Sequence, residues 1–258
     1  MSDFETTPLN QVVADNMQAL VHCRLAQAKP VEILSDRGDK LLQVMEEANG
    51  QRFVKRSFGN GAVYYIERHG LSFNESWDAM HTVFSSIGAP VVKSVLFKKE
   101  GEYPYVAISK YLAEKVPVSS APLKVKKKLA HGLGQMLKGV RGYMPAPEMV
   151  NGEMFQVTEQ DGNPTVVLID VDPYMVKKPR YGADTFNAHY IERIGGLLYD
   201  EWCTDNDDRG EVMRAFVRSV GDIVPDDIDR NPETFTAFSN VHLMSQGVDA
   251  RQLGMFRQ

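Results

Sequence analysis

The sequence predicts an α+β protein with two regions, an antiparallel sheet followed by a mainly helical remainder. Three observations predict it. Apolar runs of strand length, separated by turn residues, fill the region 31–112. Helical spacing of apolar residues dominates beyond it. Inside the helical region a single apolar run, Thr165 through Ile169, ends on two carboxylates, Asp170 and Asp172. A chain of 258 residues can form one large domain or two lobes around a substantial core. The division expected is a helical extension over residues 1–30, a lobe of five strands and one helix over 31–112, and a helical lobe over 113–258, with the boundary at the turn near Leu112.

Each element has a local reason. Thr7 and Pro8 supply an N-cap and a proline at the first helical position, and Leu9, Val12, Val13, Met17 and Leu20 form an apolar stripe running toward Ala28. Pro30 switches the chain into a strand at 31–34. The turn 35–39, a strand at 41–45, the turn Ala48, Asn49, Gly50 and a strand at 52–56 complete an antiparallel meander, since Asn-Gly between apolar runs marks a hairpin. Ser72 with Glu75 is a capping-box pattern opening a helix through Met80, Val83 and Phe84, which Gly88, Ala89 and Pro90 end. Strands at 91–97 and 105–111 follow. Helices are expected at about 122–140, 184–203, 207–223 and 232–246, with a hairpin at 154–158 and 165–169 turning through Asp161, Gly162, Asn163 and Pro164.

Composition narrows the function classes. A net charge of −5, from 29 basic and 34 acidic residues, is not the footprint of a dedicated nucleic-acid binder. The one basic cluster, Lys124, Lys126, Lys127 and Lys128, is either a solvated helix face or a contact for an anionic partner. No apolar run reaches the length of a transmembrane span, and the acidic start lacks the basic and apolar regions of a secretory signal. Cys23 and Cys203 give no disulfide framework, which points to a reducing cytoplasm. None of the six histidines forms an i,i+4 zinc pair. The acidic run 205–210 fails as an EF-hand, with Arg209 at its fifth position and Phe216 at its twelfth.

The carboxylates at the end of the apolar run leave two readings open. Asp170 and Asp172 alternate along an extended chain and can share one face, where hard oxygens suit Mg2+, a cation that keeps waters and takes further ligands from phosphates. Alternatively Asp172 and Pro173 simply begin a turn.

The order of elements and several short motifs resemble the protein-kinase-like fold, in particular bacterial lipopolysaccharide kinases and aminoglycoside phosphotransferases. The similarity covers roughly residues 31–203. Phe53, Val54, Lys55 and Arg56 look like the third strand, and the resemblance implies that Lys55 grips the ATP phosphates. It implies that Glu75, or more weakly Glu67, pairs with that lysine. The segment 107–112 resembles the fifth strand and hinge, where Ser109 and Tyr111 meet the adenine. Leu168 through Asp172 resembles a variant of the DFG segment, so that Asp170 holds Mg2+ with Asp172 beside it. The stretch 194–200 looks like the apolar helix that anchors the large lobe.

Departures from the pattern are as informative. Only Gly38 stands where a glycine-rich phosphate loop is expected, and Tyr190 stands where the family often has an aspartate. The catalytic-loop spacing is kept only if Glu148 replaces the aspartate and Glu153 the metal-binding asparagine; no histidine precedes them. Each residue also has a plainer reading: Lys55 as an ordinary strand lysine, Glu75 as a capping residue, Glu148 as a solvated loop residue. The expected function is a phosphotransferase that binds ATP and Mg2+ between two lobes and passes phosphate to an unidentified hydroxyl acceptor. The alternatives are a catalytically impaired pseudokinase that binds a protein partner, or an unrelated α+β binding protein.

Overall fold

The structure, a computed structural model, describes residues 27–114, 116–138, 143–146, 150–160, 162–170, 172–177, 183–203, 206–223 and 231–248. The expected helix over residues 1–30 lies almost wholly outside them. Two compact units emerge, the chain to Asp78 with Val92–Glu114, and Ala79–Val91 with Lys115 onward.

In the first unit β1 (Lys29–Asp36), β2 (Lys40–Glu46) and β3 (Arg52–Phe58) form the antiparallel meander. The β2–β3 turn uses Gly50 at φ 82°, a left-handed conformation that glycine adopts without steric cost. After α1 (Asn60–Arg68) and α2 (Phe73–Ser86), β4 (Ser94–Lys98) and β5 (Tyr105–Lys110) complete a five-stranded sheet in the order β1-β2-β3-β5-β4. All its pairings are antiparallel.

Helix α1 is absent from the sequence expectation for a physical reason: its N-cap, Gly59, offers no side chain, and only Ala62 and Ile66 are buried. Such a helix carries neither a cap signal nor a continuous apolar stripe. The expected strand at 91–97 begins later, at Ser94, because Val91 instead bridges Leu168 in parallel.

The second unit contains α3 (Leu123–Gln135), β6 (Met144–Pro145), β7 (Phe155–Gln160), β8 (Asn163–Leu168), β9 (Val176–Lys177), α4 (Ala183–Asp200), α5 (Asn206–Gly221) and α6 (Pro232–Ser245). Glycines let its elements approach closely. A Cβ on Gly132 would stand 2.5 Å from the Ile87 carbonyl, one on Gly134 2.7 Å from Ser219, and one on Gly195 2.6 Å from Val241. Tyr190, fully buried, donates its hydroxyl to the Leu133 carbonyl at 2.7 Å, which ties α4 to α3 without a charge.

Two of the four lysines of the basic cluster pair with a neighbouring helix. Lys126 is 3% exposed and binds Asp208 at 2.9 Å, and Lys127 binds Glu211 at 2.5 Å, both from α3 to α5. No helix among the described residues is long and apolar enough to cross a membrane.

Candidate functional site

The β7–β8 hairpin brings two of the expected metal ligands to one end. Phe155 pairs with Leu168, and just beyond that pair the Ile169 N–H donates to the Met154 carbonyl at 2.8 Å. Glu153 and Asp170 are the residues immediately outside those two. Glu153 is exposed on a 3-10 turn, Gly152–Met154, and Asp170 is half-buried. The turn is fixed from both sides: Asn151 Oδ1 accepts from the Met154 N–H at 3.1 Å, and Glu201 Oε2 accepts from the Gly152 N–H at 3.0 Å.

β8 is itself pinned, because the Leu168 N–H donates to the Pro90 carbonyl at 3.0 Å. Phe155 is wedged between Phe84 and Trp202, with ring centroids 6.1 and 5.5 Å apart. This rigid support holds the carboxylate-bearing ends.

Asp172 does something different. It is buried, and its Oδ1 accepts from the Tyr174 N–H at 3.2 Å, so it caps the turn Pro173–Met175. Among the described residues no three His, Cys, Asp or Glu side chains gather closely enough to hold a metal by themselves. One or two carboxylates at an open hairpin end nevertheless fit Mg2+, which retains waters and draws its other ligands from phosphates.

In the sheet unit, the register divides the expected nucleotide residues. Lys55 pairs with Ile108, whereas Ser109 pairs with Val54, and neighbours along a strand face opposite sides. Lys55 and Ser109 therefore lie on opposite faces. Arg56, to which the sequence pattern assigns no role, shares the face of Ser109: it is 5% exposed and donates from Nη1 to Ser109 Oγ at 2.8 Å. The same face carries Phe58 and Tyr105, and Phe73 of α2 stacks on Tyr105 with centroids 4.2 Å apart. Arg56 thus points to the side that α2 covers. Lys55 is half-buried on the other side, and burial, followed by the charge of Lys99, pushes its ammonium pKa down.

Glu75 acts as the capping residue of α2, its Oε2 accepting from the Ser72 N–H and hydroxyl at 2.8 Å each, while Ser72 Oγ accepts from the Glu75 N–H at 3.2 Å. Glu67 is exposed on α1. Tyr111 is half-buried beyond β5, its hydroxyl near Arg52. The Arg52 guanidinium is held above its ordinary pKa mainly by its hydrogen bond and charge contact with Glu46, and less by Tyr111. Glu148 lies outside the described residues.

The β1–β2 turn uses its donors on itself. Arg37 N–H goes to the Lys40 carbonyl, Gly38 N–H to Asp36 Oδ1 and Asp39 N–H to the Arg37 carbonyl, at 2.9–3.1 Å. A phosphate-cradling loop needs such groups pointed outward.

An antiparallel sheet with β5 between β3 and β4, a helix α2 between β3 and β4 in the chain, and then a helical unit with one internal hairpin decide the fold class. The fold is protein-kinase-like. Solved structures similar to this kinase-like chain include the amicoumacin kinase hAmiN in complex with AMP-PNP, Ca2+ and Ami, at 13% identity and TM-score 0.47, covering 94% of this chain and 90% of that one. The drought-responsive inactive kinase DRIK1, a pseudokinase, is similar at 10% identity and TM-score 0.45, covering 87% and 95%. The Rio2 kinase of Chaetomium thermophilum, in an ADP/Mg2+-phosphoaspartate complex, is similar at 13% identity and TM-score 0.44, covering 93% and 78%. No protein-family model matches the chain, and no curated protein matches its sequence.

Proposed function

We propose that this kinase-like protein is an ATP- and Mg2+-binding phosphotransferase acting on a hydroxyl acceptor. The observation that carries the reading is the hairpin end, where Glu153 and Asp170 flank the Ile169–Met154 backbone bond on a buttressed support. Asp170 and Glu153 would hold Mg2+, which neutralises phosphate charge when bound. Backbone groups around Ser109 and Tyr111 would meet the adenine. Glu148 would accept the acceptor hydroxyl's hydrogen bond. Positioning and charge stabilisation carry most of phosphoryl transfer, so few polar side chains suffice. A cytoplasmic setting, where ATP and Mg2+ are at hand, goes with this reading.

A second reading, an impaired pseudokinase with a protein partner, draws support from two features. The β1–β2 turn has its N–H donors bonded internally. Asn151, the asparagine nearest the expected metal position in the chain, is committed to capping its own turn. The first reading requires nucleotide binding and turnover; the second requires neither.

A thermal-shift titration with ATP and Mg2+ tests the first reading, because a ligand of the native state raises the melting temperature by mass action. A rise that saturates with ATP is expected, and a flat response defeats the phosphotransferase reading. Turnover that disappears in Glu148→Gln identifies a working enzyme with Glu148 as its base. Binding without turnover identifies the pseudokinase.

A further inference from the structure

We propose that the exposed apolar side chains of β1, Val31, Ile33 and Leu34, form a docking face for this chain's own N-terminal segment, through its apolar stripe of Leu9, Val12, Val13, Met17 and Leu20. The proposal goes beyond the nucleotide-binding reading and does not depend on it.

β1 is an edge strand, with β2 as its one neighbour in the sheet. Val31, Ile33 and Leu34 are 48%, 62% and 42% exposed. Single exposed apolar residues are ordinary, but three within four positions make a contiguous patch, and such patches mark contact surfaces. Ile33 pairs with Gln43, and Gln43 with Lys55, so Ile33 lies on the face of the sheet that α2 leaves uncovered.

The geometry of the strand disfavours a second copy as the occupant. Adding a strand to β1 needs a regular row of free N–H and C=O groups. Pro30 has no N–H. The register against β2 also slips twice, between Pro30 and Glu32 and between Ile33 and Ser35, which leaves Val31 and Leu34 opposite no residue of β2. Proline and bulges both blunt a sheet edge. What β1 offers a partner is therefore side chains, and the apolar face of an amphipathic helix covers side chains without using the edge.

Chain connectivity selects the occupant. Gln27 is helical, and Ala28 alone separates it from β1. The end of that helix therefore lies within about 7 Å of the strand's start. The residues before Gln27 fall outside the described ones, and their sequence spaces Leu9, Val12, Val13, Met17 and Leu20 at helical intervals. A helix laid back along β1 brings stripe and patch level with each other. At about 1.5 Å per residue, Leu20 and Met17 stand roughly 10 and 15 Å from Gln27. At about 3.3 Å per residue, Val31, Ile33 and Leu34 stand roughly 7, 13 and 17 Å from Lys29.

Hydrogen–deuterium exchange of the full chain, read by mass spectrometry on peptides from residues 9–20, tests this, with the solution mass taken by light scattering. In the wild type these amides exchange at least roughly tenfold more slowly than in an unstructured peptide, and the chain is monomeric. Ile33→Asp removes that protection, because docking would then bury a carboxylate, while peptides from β2 and β3 keep theirs. Ile33→Ala and Met17→Ala each lower the protection severalfold, and the double variant lowers it no further than the stronger single one, as residues in contact do. Should Ile33→Asp also loosen β2, the alanine cycle carries the test.

Fully exchanging amides over 9–20 in the wild type, or protection that survives Ile33→Asp, overturns the proposal. Additive losses in the double alanine variant overturn it too, by separating the two residues. Protection that comes with a dimeric mass and is lost on dilution gives the patch to a second copy and overturns the assignment within one chain.

Discussion

Arg56 and Ser109 meet side chain to side chain at 2.8 Å on the buried, helix-facing side of the sheet, although 53 residues separate them in the chain. Lys55, next to Arg56, is turned to the other side by the two-residue period of a strand. One position along β3 thus decides which cation the expected nucleotide residues can share.

A half-buried imidazole makes stability depend on acidity. Burial pushes the His81 pKa down to about 4 from the ordinary 6.5. The unfolded chain therefore takes up this proton as pH falls through 6.5, and the folded chain only near 4. The stabilisation is fully present above pH 6.5 and is lost as pH falls toward 4, amounting to about 3 kcal/mol across that window. His81→Gln should flatten the pH dependence there. Urea midpoints compared near neutrality and near the acid end of that window check it: an equal acid-induced drop in variant and wild type would refute the role of His81.

Two glycines predict opposite outcomes for the same substitution. A Cβ on Gly132 runs into the Ile87 backbone, whereas one on Gly196 meets nothing within 4 Å. Gly132→Ala should destabilise by about 1–3 kcal/mol through overpacking. Gly196→Ala, in the interior of α4, should stabilise by about 0.5–1 kcal/mol through reduced chain entropy. Melting temperatures moving in the same direction would contradict the packing described.

The two lysine pairs between α3 and α5 should differ sharply. Asp208→Ala strands Lys126, whose side chain is 4% exposed, and should cost about 3 kcal/mol. Glu211→Ala removes the partner of Lys127, whose side chain is 43% exposed, and should cost under about 1 kcal/mol. Equal losses in denaturant unfolding would show that burial does not set the scale here.

Local signals made much of the fold legible. Asn49-Gly50 announces the β2–β3 hairpin, and the Ser72–Glu75 box is present as hydrogen bonds at 2.8–3.2 Å. The inward side of β3 was not legible, because Phe53 and Val54 are both apolar and Arg56, Ser57 and Phe58 are all buried, which erases the alternation that sets parity. Lys126 reads as a surface residue because its partner, Asp208, stands 82 positions away. Asp170 could be singled out from the strand it ends, but the separation of its role from that of Asp172 needed the turn geometry in which Asp172 Oδ1 binds the Tyr174 N–H.

Asp170 is the residue we propose to hold the Mg2+ of a bound nucleotide. Calorimetry of ATP binding to wild type and Asp170→Asn, each with and without Mg2+, tests it most directly, since the amide removes the ligand charge with little change of shape. The account predicts that Mg2+ strengthens ATP binding roughly tenfold or more in wild type and that this gain disappears in the variant, with the melting temperature without ligand unchanged. A variant that retains the full Mg2+-dependent gain would contradict it and leave Asp170 as a turn residue.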